Sequence, residues 1–150
     1  MKKMQFDDFK MCVGWDKQDY YMSQLTKKIL NGYKGDEIEM SDEDYDEAMN
    51  VLAEQYRRAE LFSKAVSRNN NGIELEKSGD IDGAIAVYEE NIAEGYPASH
   101  SFDRLMILYR KRKDYDSEIR VILRTMEVFP TSDLSKRLAK AKELREKANK

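Results

Sequence analysis

His100 is the only histidine of the chain and Cys12 its only cysteine. A histidine general base needs an oriented partner, and the sequence names none. His100 follows Pro97 at a predicted helix start, where capping or exposure is the expected role. Cys12 has no histidine near it and reads as a small buried hydrophobe. Eight carboxylates crowd residues 36–47: Asp36, Glu37, Glu39, Asp42, Glu43, Asp44, Asp46 and Glu47. A calcium loop needs a central glycine and a terminal glutamate at fixed spacing, and this run has neither. It reads as a solvated helix start, with Ser41 and Asp42 as caps and acids suited to the helix dipole. No glycine-rich phosphate loop, zinc-spaced cysteine set or nucleophile elbow occurs. The expectation is a protein that is not an enzyme and carries no cofactor and no metal.

Charge points the same way. Residues 1–100 hold 12 basic and 21 acidic side chains, and residues 101–150 hold 14 and 8. Such an asymmetry steers association without specifying a fold. Arg110-Lys111-Arg112-Lys113 is the strongest basic patch. The chain is nevertheless acidic overall, at −3, and has no nucleic-acid module, so nucleic acid is disfavoured as a partner. One cysteine permits no internal disulfide, which fits a reducing compartment. The N-terminal residues lack the apolar run of a signal peptide. No stretch approaches the roughly 18 apolar residues of a membrane span. A cytoplasmic protein without a membrane partner is expected, and the oligomeric state stays open.

The elements follow from apolar spacing. Residues 1–15 fit a short strand or a packed loop. Asp16 is expected to cap a helix near 17–32, striped by Tyr20, Tyr21, Leu25 and Ile29 and broken by Gly32 and Gly35. A long helix is predicted over about 42–66, with Tyr45, Ala48, Met49, Leu52, Tyr56, Ala59, Phe62 and Val66 on its packed face. Arg68-Asn69-Asn70-Asn71-Gly72 either interrupts it or begins the next helix.

The chain then matches itself at one fixed shift. Ile73 meets Ile107, Lys77 meets Lys111, and Asp80 meets Asp114. Asp82 meets Asp116, Ile85 meets Ile119, and Val87 meets Val121. Each unit reads as helix–turn–helix. Gly79 ends a first helix and Asp80 caps the second, lined by Ala84, Ile85, Tyr88 and Ile92. Phe102, Leu105, Met106 and Tyr109 line the next first helix, and Asp114 caps the helix carrying Ile119, Ile122 and Met126. The only two prolines, Pro97 and Pro130, each follow a second helix.

Residues 65–132 resemble the tetratricopeptide repeat family, whose period of about 34 residues is the shift just described. Gly72, Gly79, Asp80, Ala84 and Tyr88 match its motif. Glu118 stands where the family has a small residue, and Lys113 replaces its turn glycine. The resemblance implies an all-α fold: antiparallel helix pairs stacked as a short α-solenoid, with residues 133–149 as the closing helix. Residues 1–64 are read as a divergent N-terminal helical segment that packs on the array. Residues 65–150 are read as one structural unit, and Leu52, Tyr56 and Phe62 are expected to supply its missing neighbour. By the same resemblance the first helices line a groove for a protein or peptide partner. The groove positions are Asn69, Ile73 and Lys77, then His100, Arg104, Ile107, Arg110 and Lys111, with Asp103 among them. Arg104, Arg110 and Lys111 there favour acidic groups on the partner, although a charged helix face is ordinarily just solvated. One subclass grips a C-terminal carboxylate with lysine and asparagine, and Asn69 and Ile73 do not reproduce it. The expected function is a small adaptor or regulator. Two alternatives remain: a standalone inhibitor or regulator, bacterial or phage-like, acting through its N-terminal helices, and a polyanion binder using the basic C-terminal half.

Overall fold

The computed structural model describes all of residues 1–150. The chain is mostly helical, with seven helices and one two-stranded sheet. It divides into two compact units, Met1–Glu60 and Leu61–Lys150. A single helix, α3 (Asp42–Lys77), begins in the first and ends in the second.

In the first unit, β1 (Lys2–Gln5) pairs antiparallel with β2 (Glu37–Met40), placing Met4 opposite Ile38. The sheet corrects an expectation: part of the run read as a solvated acidic lead-in is a strand, with Ile38 and Met40 buried on alternate positions. The short α1 (Phe6–Phe9) follows β1, and α2 spans Gln18–Leu30. Asp16 does not cap α2; Lys17 holds that position, without a side-chain cap bond. The start of α2 is instead tied to the first turns of α3. Lys17 Nζ lies 2.6 Å from Asp44, Tyr21 donates its hydroxyl proton to Asp44, and Trp15 Nε1 donates to Glu47 at 3.2 Å. Trp15 stacks on Tyr21. Phe9, Cys12 and Met40 are wholly buried among Met4, Leu25, Ile38, Ala48 and Leu52. Each large side chain so buried contributes about 1.5–3 kcal/mol.

Leu52 therefore belongs to a core built only from residues between 4 and 52. Tyr56 and Phe62 are exposed; Tyr56 donates to Asp8, and Phe62 lies edge-on to Tyr96. Much of the predicted stripe, Met49 and Val66 included, faces solvent.

In the second unit α3 runs through Arg68–Gly72 without a break. It is followed by α4 (Ile81–Glu94), α5 (Ser99–Lys111), α6 (Tyr115–Val128) and α7 (Ser135–Ala148). Both α4 and α6 have 14 residues, and their first residues, Ile81 and Tyr115, are equivalent under the repeat. The turns before them coincide in detail. Gly79 (φ 87°) and Lys113 (φ 59°) are both left-handed. Asp80 N donates to Leu75 O, and Asp114 N to Tyr109 O, each at 2.9 Å. Asp80 then accepts from Gly83 N and Asp114 from Ser117 N, the N-cap bond that an aspartate supplies. The core of this unit is Ala84, Tyr88 and Ile92 of α4, Phe102, Leu105 and Tyr109 of α5, Ile119 and Ile122 of α6, and Ala141 of α7.

Candidate functional site

On α3, Asn69, Ile73 and Lys77 recur every four residues, so they share one stripe. His100, Arg104, Ile107 and Lys111, three or four residues apart, likewise share one stripe of α5. Polar side chains fasten these two stripes to each other and to α4. Arg104 Nε donates to Glu76 at 3.1 Å and its Nη2 to the other oxygen at 2.5 Å, a two-pronged pair across 28 residues of sequence. Tyr88 of α4 donates to the same carboxylate at 2.6 Å. Glu76 is therefore held below the usual carboxylate range, by Arg104 first and Tyr88 next, against the opposing effect of burial. Tyr88 is wholly buried, and burial followed by the Glu76 charge pushes its hydroxyl pKa up.

His100 Nε2 stands 3.3 Å from the Tyr88 oxygen. The one hydroxyl proton of Tyr88 goes to Glu76, so the histidine is left to donate. This contact ties His100 to the cluster of Glu76, Tyr88 and Arg104. His100 does not cap α5, whose N-cap is Ala98. Asn69 is likewise occupied. Its side-chain oxygen accepts from Ser101 at 2.5 Å and from buried Asn91 at 3.0 Å. Asn91 also donates to Ala65 O, and Arg68 pairs with Glu94 at 2.7 Å.

Arg110 is the second groove cation already engaged. Its guanidinium lies 2.8 Å from Glu118, a carboxylate with no exposed surface, and Arg137 of α7 approaches the same group at 3.4 Å. Glu118 is thus accommodated at a helix crossing because two cations neutralise it; a buried carboxylate left unpaired would be costly. Arg112 pairs with Asp82 at 2.6 Å, so two members of the basic run 110–113 have acidic partners. What stays presentable on the α3–α5 face is Ile73 and Ile107, both half-buried, and Lys77 and Lys111, both exposed. Lys77 has only a solvated contact with Glu74, at 3.3 Å, and a pair of that kind contributes little.

Glu76, Tyr88, Asn91, Ser101 and Glu118 are the site-forming residues that the sequence reading passed over. One signal was available: Glu118 occupies the position that small, buried Ala84 holds in the other repeat, and a carboxylate packed there demands a cation. Cys12 is buried, and burial raises its pKa, with the Asp8 charge adding to it. No group of three or more His, Cys, Asp or Glu side chains is arranged to hold a metal ion, and no helix is long and apolar enough to cross a membrane. Compared with known protein families, curated proteins and solved structures, the chain gives no match.

Proposed function

We propose that the chain is a non-catalytic protein- or peptide-binding module of tetratricopeptide-like build, a cytoplasmic adaptor or regulator. In this reading α3–α4 and α5–α6 are two stacked helix pairs of a short α-solenoid closed by α7, and the partner lies on the α3–α5 face. One observation carries it: the helix–turn–helix units recur in register, with equal second helices and equal turn bonding. In this reading Ile73 and Ile107, and Lys77 and Lys111, are equivalent positions of successive first helices. Arg104 and Arg110 then belong to the frame, and acidic groups on the partner are met by Lys77 and Lys111.

The test is a photo-cross-linking residue at position 107, expressed in the native cell, with position 123 on α6 as the control. A discrete adduct at 107 is expected, absent at 123 and lost in Lys77→Glu plus Lys111→Glu with unchanged circular dichroism. Equal labelling at both positions refutes the groove.

A second reading has its own observation. Ile29 and Leu30 of α2 are 52% and 80% exposed. Ile29 lines an apolar recess of about 210 Å³ together with Phe6, Met22 and Leu25. A regulator acting through its N-terminal unit would use that surface. An adduct at position 30 with none at 107 favours it.

A further inference from the structure

A second recess, of about 260 Å³, opens between α5, α6 and the segment joining α6 to α7. Its polar lining is one-sided. Thr125 spends its hydroxyl proton on Val121 O, and Ser132 spends its own on Phe129 O, each at 2.7 Å. A hydroxyl has one proton, so both turn only lone pairs to anything that enters. Asp103 lines the same recess with an exposed carboxylate, to which no basic side chain is paired. The remaining hydroxyls, of Ser99 and Thr131, rotate to accept as readily as to donate. Met106, Phe129 and Leu134 make the rest apolar.

The acceptors and the Asp103 charge suit an occupant with hydrogen-bond donors and positive charge at one end of an apolar stem. The volume is below the roughly 300–1,000 Å³ of pockets that engulf a drug-sized ligand, and suits a single side chain. Arginine fits the lining better than lysine. Its planar group carries five donors and grips a carboxylate with two of them, while its methylene stem lies along apolar surface.

We propose that this recess is the socket for one arginine side chain of the protein partner, with its guanidinium on Asp103 and its stem along Met106, Phe129 and Leu134. The proposal rests on the α3–α5 face being the binding face, and it adds a direction to that face. Asp103 and Lys111 are eight residues apart on α5, about 12 Å along a helix. An extended chain covers about 3.3 Å per residue. Asp103 and Lys111 also lie about 80° apart around the helix, so the partner segment crosses α5 obliquely, its arginine toward Ser99 and an acidic residue at least about four positions away, over Lys111.

The test is a nuclear magnetic resonance titration of the full, nitrogen-labelled chain. The probes are capped arginine amide and its neutral isostere, capped citrulline amide. Saturable shifts are expected at the amides of Asp103 and Ser132, with citrulline about tenfold weaker, the worth of one charge-assisted bond. Asp103→Asn should reduce arginine to the citrulline level and leave the thermal unfolding curve unchanged, since Asp103 is exposed and unpaired. Equal binding of the two probes, or no saturable shift with arginine, overturns the proposal. So does free arginine binding tenfold tighter than the capped probe, which would assign the recess to a small metabolite. Cross-linking at position 107 separates the two readings. An adduct there without an arginine response sinks the socket alone; an arginine response without an adduct sinks the groove and the partner's orientation with it.

Discussion

Glu76 shows what single side chains decide in this protein. It accepts from Arg104 and Tyr88 with its side chain only 16% exposed. Its folded pKa lies below the ordinary value of 4.5. A carboxyl with a depressed folded pKa contributes stability in full above the unfolded value, and that stability is lost as pH falls through the folded one. Glu76→Gln should therefore lower the urea midpoint at pH 7 and lose less on going to pH 3 than the native chain does. Parallel pH profiles for the two proteins would show that the carboxylate is not a determinant of acid stability. Lys113 is a second local decision. At φ 59° it holds the left-handed conformation that Gly79 holds in the equivalent turn, at a cost of roughly 1–2 kcal/mol for a residue with a Cβ. Lys113→Gly removes that strain and loosens the unfolded chain by roughly 0.4–1 kcal/mol, so a net gain of about 0.5–1 kcal/mol is expected by denaturant titration. A loss would mean that the lysine side chain has a stabilising role of its own.

Among the elements, helix crossings set the constraints. Gly72, in the last two turns of α3, costs about 1 kcal/mol of helix propensity against alanine. A Cβ added there would stand 2.1 Å from the Tyr88 ring, which is wholly buried and pinned by its bond to Glu76. Packing overrides propensity, so Gly72→Ala should destabilise by about 1–3 kcal/mol, read as a lower urea midpoint. A more stable variant would mean that the ring yields easily. Ala84, wholly buried in α4, answers to the same rule, and Ala84→Leu should cost a similar amount. These elements were legible because their signals are local: Asp80 and Asp114 announce helix starts, and Gly79, Pro97 and Pro130 announce ends. The sheet was not. KKMQ and EIEM are four residues each, and the bond that makes them strands joins segments more than thirty residues apart. The continuity of α3 was hidden for a similar reason. Asn69 looks like a breaker, yet its side chain is taken up by Asn91 and Ser101 on other helices. The groove cations were legible as residues and illegible in role, since Glu76 and Glu118 reach them only in the folded chain.

For the molecule as a whole, the two hydrophobic cores share no residue. One draws on residues 4–52, the other on residues 84–141. Each core is then expected to unfold on its own, although α3 is continuous from one unit into the other. The chain offers an unusually clean reporter, because its one tryptophan, Trp15, is buried in the first core only. Emptying the second core with Phe102→Ala removes a wholly buried ring that packs edge-on to Phe129, at a cost of about 3–5 kcal/mol. Circular dichroism, which follows all the helices, should then show an earlier phase of helix loss. Trp15 fluorescence should keep its native denaturation midpoint. Phe9→Ala in the first core should do the reverse, moving the fluorescence midpoint and leaving a late phase in circular dichroism. If Phe102→Ala moves the Trp15 midpoint as far as it moves the helix signal, the two cores unfold as one. A binding surface on α5 would then be coupled to everything that stabilises the N-terminal unit.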